Sequence, residues 1–439
     1  MTSRPEHDAE KWVPVFGKTS CSNKKSERDD DSKISHPALR PNLPILVGAA
    51  AMLSLSMGLR QCFGLIVPAA TRDLAVTVSD FTLAMAAQNL SWGLAQSIAG
   101  ALAVRLGFRP VMIAGAVFYV VGLLVLASAQ GFLGILLGAG VFVGIGLACT
   151  ATAIALAVGS RAAHPAGRSM VLGMITAAGS LGAILAAPIG QTLTTEFSWR
   201  AGVIGFAALA LGILPAAFFA GRVDRAAPVS AAADQAGATS IATAISTALR
   251  TPAFVVMAGA YFVCGMQLLF ITTHLPSYLA LCGMDPMLSA QALGVIASFN
   301  VAGSLFFGWA GGRYPKLALL GAIYFSRSVV LGWYFMLPPT PASTLAFAAL
   351  MGFLWLGVGP LVAGAIAEMF GLRWQAMIQG LAFLSHQLGS FLGAFGGGVL
   401  FDLLGSYDLA WRLAVAMGIT GGLVQVSFAL IRPPRLASA

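Results

Sequence analysis

The sequence predicts an all-α polytopic membrane protein, with twelve transmembrane helices in two parallel six-helix repeats. Three observations carry this. Of the 439 residues, 58% are hydrophobic and only 9% charged, against roughly 25% charged in soluble domains. Apolar runs of the length a bilayer crossing needs, about 20 residues, occur in twelve places. The last six runs repeat landmarks of the first six at a nearly constant offset. So apolar a chain excludes a soluble multidomain enzyme, a disordered regulator and a disulfide-stapled secreted module.

Residues 1–40 hold 8 of the 25 Lys+Arg and 7 of the 16 Asp+Glu. They have no apolar h-region, so they are no signal peptide and read as a disordered cytoplasmic tail. Gly17-Lys18-Thr19 looks like the end of a phosphate-binding loop. Trp12 stands where its leading glycine belongs and no strand precedes it, so nucleotide binding is not expected. The spans follow at 44–68, 80–104, 110–128, 132–158, 167–194, 200–220, 253–279, 288–311, 316–336, 342–368, 373–400 and 408–431. They are separated where loop-forming residues gather, as at Asp73 to Asp80, Arg105 to Pro110, His164-Pro165, Asp285-Pro286, Tyr314-Pro315 and Pro338 to Pro341. Residues 221–252, rich in Ala, Ser and Thr with Arg222, Asp224, Arg225, Asp234 and Arg250, carry no spanning signal. They read as a cytoplasmic linker between an N-terminal bundle, 41–220, and a C-terminal bundle, 253–431; residues 432–439 form a second cytoplasmic tail.

Orientation follows from the basic residues. With the amino terminus inside, the inner loops hold Arg105, Arg109, Arg161, Arg168, Arg222, Arg225, Arg250, Arg313, Lys316, Arg373, Arg432 and Arg435, and the outer loops only Arg72, Arg200 and Arg412. That bias satisfies the positive-inside rule and places both termini in the cytoplasm. The formal charge of +9 therefore reflects topology, and no nucleic-acid partner is expected. Cys21, Cys62, Cys149, Cys264 and Cys282 have neither CxxC nor metal-ligand spacing, so no metal, cofactor or disulfide framework is expected.

The halves repeat. Pro68, Gly100 and Arg105 match Pro276, Gly308 and Arg313 at an offset of 208, and Trp199-Arg200 match Trp411-Arg412 at 212. Six spans per copy is an even number, so both copies start on the same side and the repeat is parallel. Two such bundles meeting at a central site permit the rocking that alternating access requires. Glycines at 173, 179 and 182 of span 5 and at 389, 393, 396 and 397 of span 11 let helices approach and slide.

Gly100-x3-Val104-Arg105-x-Gly107-x-Arg109 after span 2, and Gly308-x3-Gly312-Arg313 after span 8, in a chain of twelve spans in two copies, resemble the major facilitator superfamily and its gating loop motif. Val104 and Gly312 stand where the family motif has Asp, and Pro110 replaces a basic residue, so the family's charge clasp is not carried over. Within the superfamily, Gly58-Leu-Arg60-Gln61-Cys-Phe63-Gly64, Gln88-Asn89-Leu-Ser-Trp92-Gly93, Thr273-His274-Leu-Pro276-Ser-Tyr278 and His386-Gln387-Leu-Gly389-Ser390 are similar to bacterial monocarboxylate-transporter-like permeases. The resemblance implies a permease of the bacterial inner membrane moving a monocarboxylate. The acidic-aromatic motif before span 1, the span-1 lysine and the charged pair in span 8 of the eukaryotic carriers are missing here. Proton symport is therefore not inherited from them.

Charged groups at membrane depth cost about 2.5–3.5 kcal/mol on insertion scales, which singles out Arg60 in span 1 and Arg327 in span 9. No acid lies in any span interior to neutralise them. A cation facing a water-filled cavity is what an anionic substrate needs, because guanidinium grips carboxylate at two points. The competing reading is structural, and span 9, peripheral in the resembled fold, favours it for Arg327. His274 shares a helical face with Gln267 and Tyr278, and His386 shares one with Gln379 and Ser390. Either histidine is a candidate proton carrier or a helix tie. Asn89, Trp92 and Gln96 on span 2, with Asn300 and Ser304 on span 8, form similar stripes. The substrate-binding candidates are accordingly Arg60, Asn89, Trp92, His274, Tyr278, Asn300, Arg327 and His386. The expected partners are a small organic anion, protons and the lipid bilayer, and the chain is expected to act as a monomer. Two other readings stay open: export of lipophilic or drug-like compounds, which calls for a buried carboxylate, and a membrane-embedded enzyme, for which Ser169, His274 and Glu368 form no recognisable constellation.

Overall fold

The computed structural model describes residues 42–225 and 240–431. The two expected tails and residues 226–239 of the expected linker lie outside the described residues. Every regular element among them is helical. Eleven stretches are long and apolar enough to cross a membrane. The remaining predicted span, the second, is a single helix, Val78–Leu106. At 29 residues it is also long enough at about 1.5 Å per residue, but Gln88, Asn89 and Gln96 dilute its hydropathy.

Several spans are interrupted where their sequence removes a backbone hydrogen bond. Span 10, expected as one run, is two helices, Pro341–Phe353 and Val358–Phe370. Pro360 has no amide hydrogen to continue the ladder, and the Leu356 amide in the break donates instead to Asn300 Oδ1 at 3.3 Å. Span 6 divides in the same way into Trp199–Ala210 and Ile213–Ala220, just before Pro215. Span 1 runs as Leu43–Gln61, tightens to a 3-10 turn at Cys62–Leu65 and is followed by a short helix, Val67–Asp73. The expected linker is not wholly irregular, because Ile241–Arg250 is a helix with Ser240 as its cap. Ile241, Ala244, Ile245 and Ala248 give it an apolar stripe that packs on the second-half core.

The helix ends are held by specific acceptors. Thr77 and Asp80 form a reciprocal capping box at the start of span 2. Span 3, Phe108–Ala127, has no such residue beside it; its first amides, of Phe108 and Arg109, donate to the Asp224 carboxylate at 2.8 and 2.9 Å. Gly107 makes this possible. It sits at φ +93, and a Cβ there would lie 2.9 Å from Asp224 Oδ2.

The duplication is visible in the packing. Span 4 lies against span 2 where Gly144 meets the Gln88 carbonyl, and span 10 lies against span 8 where Gly352 meets the Ile296 carbonyl. Both partners shift by the same 208 positions that relate the sequences. Span 5, Arg168–Glu196, packs on span 1 through Gly182 and Ser54; span 11, Gln375–Leu404, packs on span 7, Pro252–Leu281, through Gly389 and Phe262.

The two halves meet along two seams, and both lie toward the end of the helices that carries Arg105, Arg161, Arg168, Arg313, Lys316 and Arg373, here called the basic end. In one seam Gly100 and Ser97 of span 2 abut Met377 and Gly380 of span 11. In the other, Gly173 of span 5 abuts Gly308 of span 8 (Pro286–Ala310), and Ser169 abuts Gly311 just beyond it. Close by, Gln375 Nε2 donates to Ser160 Oγ at 2.9 Å, and Arg161 Nη2 to the Leu372 and Arg373 carbonyls at 3.2 Å each. Further along the helices the halves meet again midway, where Gln387 and Phe383 of span 11 reach Asn89 and Trp92 of span 2.

Candidate functional site

Arg60 occupies the last turn of the first helix of span 1, half-buried, opposite the polar face of span 2. Its Nε donates to Gln88 Oε1 at 2.9 Å and its Nη2 to Asn89 Oδ1 at 2.6 Å. The guanidinium also lies 5.4 Å from the Trp92 ring centroid, within cation–π range. Gln88 is fixed in turn by its own Nε2, which donates to the Ala139 carbonyl of span 4 at 2.7 Å. Trp92 Nε1 donates to Gln96 Oε1 at 2.9 Å, and Gln96 Nε2 to the Ala148 carbonyl at 2.8 Å. The cation is thus oriented by two neutral carboxamides along one edge. Nη1, at the other end, has no hydrogen-bond partner among the described residues. A guanidinium carries five N–H donors, so the end opposite its anchors keeps capacity for a two-point contact.

The second half contributes through span 11. Gln387 Nε2 donates to the Asn89 carbonyl at 2.9 Å and reaches Asn89 Oδ1 at 3.4 Å. Phe383 packs on Trp92, with ring centroids 4.6 Å apart, and stacks on His386 at 5.6 Å. Tyr261 of span 7 flanks the same imidazole at 4.5 Å. His386 Nδ1 lies 3.2 Å from Gln387 Oε1. With the Gln387 amide nitrogen facing two oxygens, Oε1 is left as an acceptor, so neutral His386 carries its proton on Nδ1 and presents Nε2 as its basic atom.

The structure therefore brings four predicted residues, Arg60, Asn89, Trp92 and His386, into one group at the junction of the halves. The other candidates make no described contact with Arg60. His274 is buried between the Ala394 carbonyl, 2.9 Å from Nε2, and the Tyr407 hydroxyl, 3.2 Å from Nδ1, which ties span 7 to span 11. Tyr278 packs on Phe335 and Trp411. Asn300 serves the break in span 10. Arg327 is fully buried and donates to Gln267 Oε1 through Nε at 3.3 Å and Nη2 at 3.1 Å, with the Cys264 carbonyl at 3.4 Å.

Of the loop-motif residues, Gly100 and Gly308 lie in the two seams, Gly107 leaves room for the Asp224 carboxylate, and the Arg109 amide donates to it. Arg105 is exposed, and Arg313 lies over Trp309 at 4.5 Å. Sequence reasoning did not assign Gln88, Gln387, Phe383 and Tyr261 to the group. The signal for the first two was present in two amides, Gln88 and Gln387, placed in the middle of otherwise apolar spans.

The family model described as Major Facilitator Superfamily matches residues 48–394 of this chain. Among curated proteins the chain is similar to monocarboxylate transporter 13 of Bos taurus, 25% identical over 331 residues that cover 75% of this chain and 76% of the relative. It is similar to monocarboxylate transporter 11 of Mus musculus, 26% identical over 395 residues covering 87% and 86%. Among solved structures it resembles the fucose:proton symporter FucP of E. coli, with a TM-score of 0.68 at 14% identity, covering 88% of this chain and 99% of that one.

Proposed function

This chain belongs to the major facilitator superfamily, and on that premise we propose that it is a secondary transporter that moves a small organic anion, a monocarboxylate, by alternating access of its two halves, 41–220 and 253–431. Arg60 is the anion anchor. The observation that carries this is a guanidinium at the junction of the halves whose charge meets amides and no acid. All eight acids among the described residues, Asp73, Asp80, Glu196, Asp224, Asp285, Glu368, Asp402 and Asp408, lie at or near helix ends or in loops, so none offsets it. The same distribution gives no support to export of lipophilic cations. With the basic end inside, as the positive-inside rule places it, the closed seams face the cytoplasm and Arg60 is reached from outside.

Two relatives named as monocarboxylate transporters support the same substrate class. His386 is the proton-accepting group, because Nε2 is its basic atom and Gln387 links it to Asn89, which holds the anchor; His274 is a tie within the second half. The test is uptake of labelled lactate or acetate into proteoliposomes. Arg60→Ala removes both points of the carboxylate contact, and each charge-assisted hydrogen bond is worth about 1.5–3 kcal/mol. Uptake is expected to fall at least about tenfold, with Arg60→Lys intermediate. Undiminished uptake by Arg60→Ala overturns the assignment.

A further inference from the structure

Asn89 is shared between two claimants. Its Oδ1 receives Arg60 Nη2 at 2.6 Å from within the first half and Gln387 Nε2 at 3.4 Å from the second. Gln387 holds the Asn89 carbonyl as well, at 2.9 Å, and is itself buried. Its amide cannot turn over without cost. Nitrogen faces two acceptors, while Oε1 faces His386 Nδ1 at 3.2 Å and Ser390 Oγ at 3.5 Å. A glycine makes the reach possible, since a Cβ on Gly93 would lie 3.0 and 3.1 Å from Gln387 Cγ and Cβ. Hydrogen bonds between the halves also lie near the basic end, at Gln375 and Arg161. Twelve residues of helix separate Gln375 from Gln387, about 18 Å at 1.5 Å per residue. The Gln387–Asn89 pair is therefore where the span 2–span 11 seam touches the anion anchor.

We propose that Gln387 is a positioning residue that makes anion affinity at Arg60 depend on the state of the seam. While the seam is closed, Gln387 holds Asn89 through its carbonyl and Oδ1, which keeps Oδ1 on Arg60 Nη2 at 2.6 Å and holds the guanidinium in the pose whose Nη1 end is left for a carboxylate. When span 2 parts from span 11, Gln387 leaves, Asn89 loses that support, the guanidinium is no longer held in this pose, and the anion is released. Linkage makes the effect reciprocal, so a bound carboxylate holds the seam closed by the same factor. A neutral hydrogen bond changes an equilibrium about two- to tenfold, which sets the size of the coupling. The inference rests on Arg60 being the anion anchor.

The test uses a chain whose five cysteines are replaced and in which Ser169, buried against Gly311 in the other seam, becomes Ser169→Cys. Calorimetry measures binding of lactate and acetate, and the rate of labelling by a membrane-impermeant maleimide reads opening at the basic end. The expected result is that carboxylate binds and slows labelling about two- to tenfold, and that Gln387→Ala still binds it but labels at the same rate with and without it. Gly93→Ala, which displaces the same carboxamide from span 2 and leaves Gln387 in place, is expected to lose the protection likewise. Retained protection in both variants overturns the proposal, as does binding without protection in the parent. Absence of binding in the parent overturns the anion assignment of Arg60 itself, and the coupling with it.

Discussion

Arg60 Nη2 stands 2.6 Å from Asn89 Oδ1, a charge-assisted contact in which the acceptor is neutral. The neutrality is the functional point, because an acid at that position would occupy the cation permanently. Asn89→Asp is nearly isosteric and converts the contact to an ion pair. Carboxylate binding is then expected to weaken at least about tenfold, while the melting temperature of the detergent-purified protein stays level or rises, since the two charges now compensate each other. Isothermal calorimetry and a thermal melt on the same sample check both halves of the statement; wild-type affinity in Asn89→Asp contradicts it.

The spans, the repeat and Arg60 were legible because each rests on local composition. Apolar length gives a crossing, Pro68 and Pro276 or Gly100 and Gly308 give the offset, and a lone arginine in an apolar helix stands out. Gln88 escaped for a geometric reason. A face argument groups Asn89, Trp92 and Gln96 at intervals of three and seven and discards the neighbour about 100° away, yet Arg60 approaches between the two and uses both. Gln387 escaped because its partner lies 298 positions away, and no periodicity within span 11 encodes which helix faces it. The break in span 10 was hidden by its apolar content: hydropathy counts side chains, whereas the break is made by an amide that Pro360 lacks and a carboxamide that Asn300 supplies.

The two histidines are expected to separate in a pH profile. His386 joins the anchor's group through Gln387 and Phe383 and has Nε2 as its basic atom, while both ring nitrogens of His274 have partners, the Ala394 carbonyl and the Tyr407 hydroxyl. Lactate uptake that rises as the external pH falls from 8 toward 6 in the parent should become flat in His386→Gln and keep its slope in His274→Gln, whatever happens to the absolute rates. A flat His274→Gln profile with a sloping His386→Gln profile would reverse the assignment.

At the end opposite the basic one, the Asp73 carboxylate accepts from the Trp199 indole at 2.9 Å and pairs with Arg200. These two contacts hold its pKa below the ordinary carboxylate value. A lowered folded pKa gives stability that is complete above the unfolded value, near 4, and that disappears as the pH falls through the folded one. Asp73→Asn should therefore melt below the parent at pH 7, and the gap should close as the pH is taken below about 4. A gap independent of pH over that range would assign the effect to shape and not to charge.

Arg327 offers a test of structure against binding. It is fully buried, and Gln267 Oε1 accepts from both its Nε and its Nη2, while Gln267 Nε2 donates to Ser328 Oγ at 2.9 Å and the Ala414 carbonyl at 2.8 Å. One carboxamide thus connects spans 7, 9 and 12 through the Arg327 guanidinium. Arg327→Met fills the space but leaves Gln267 Oε1 buried without a donor, a loss of about 1–3 kcal/mol. Gln267→Leu alone strands the guanidinium and should cost more, about 3–5 kcal/mol, as for a broken buried pair. The double variant removes both members, so its loss should be smaller than the sum of the two single losses, and the difference is their interaction energy. Chemical denaturation of the four proteins gives that cycle. Lactate affinity measured on the folded fraction should be unchanged in Arg327→Met, and a drop there comparable to that of Arg60→Ala would bring Arg327 back into the binding group.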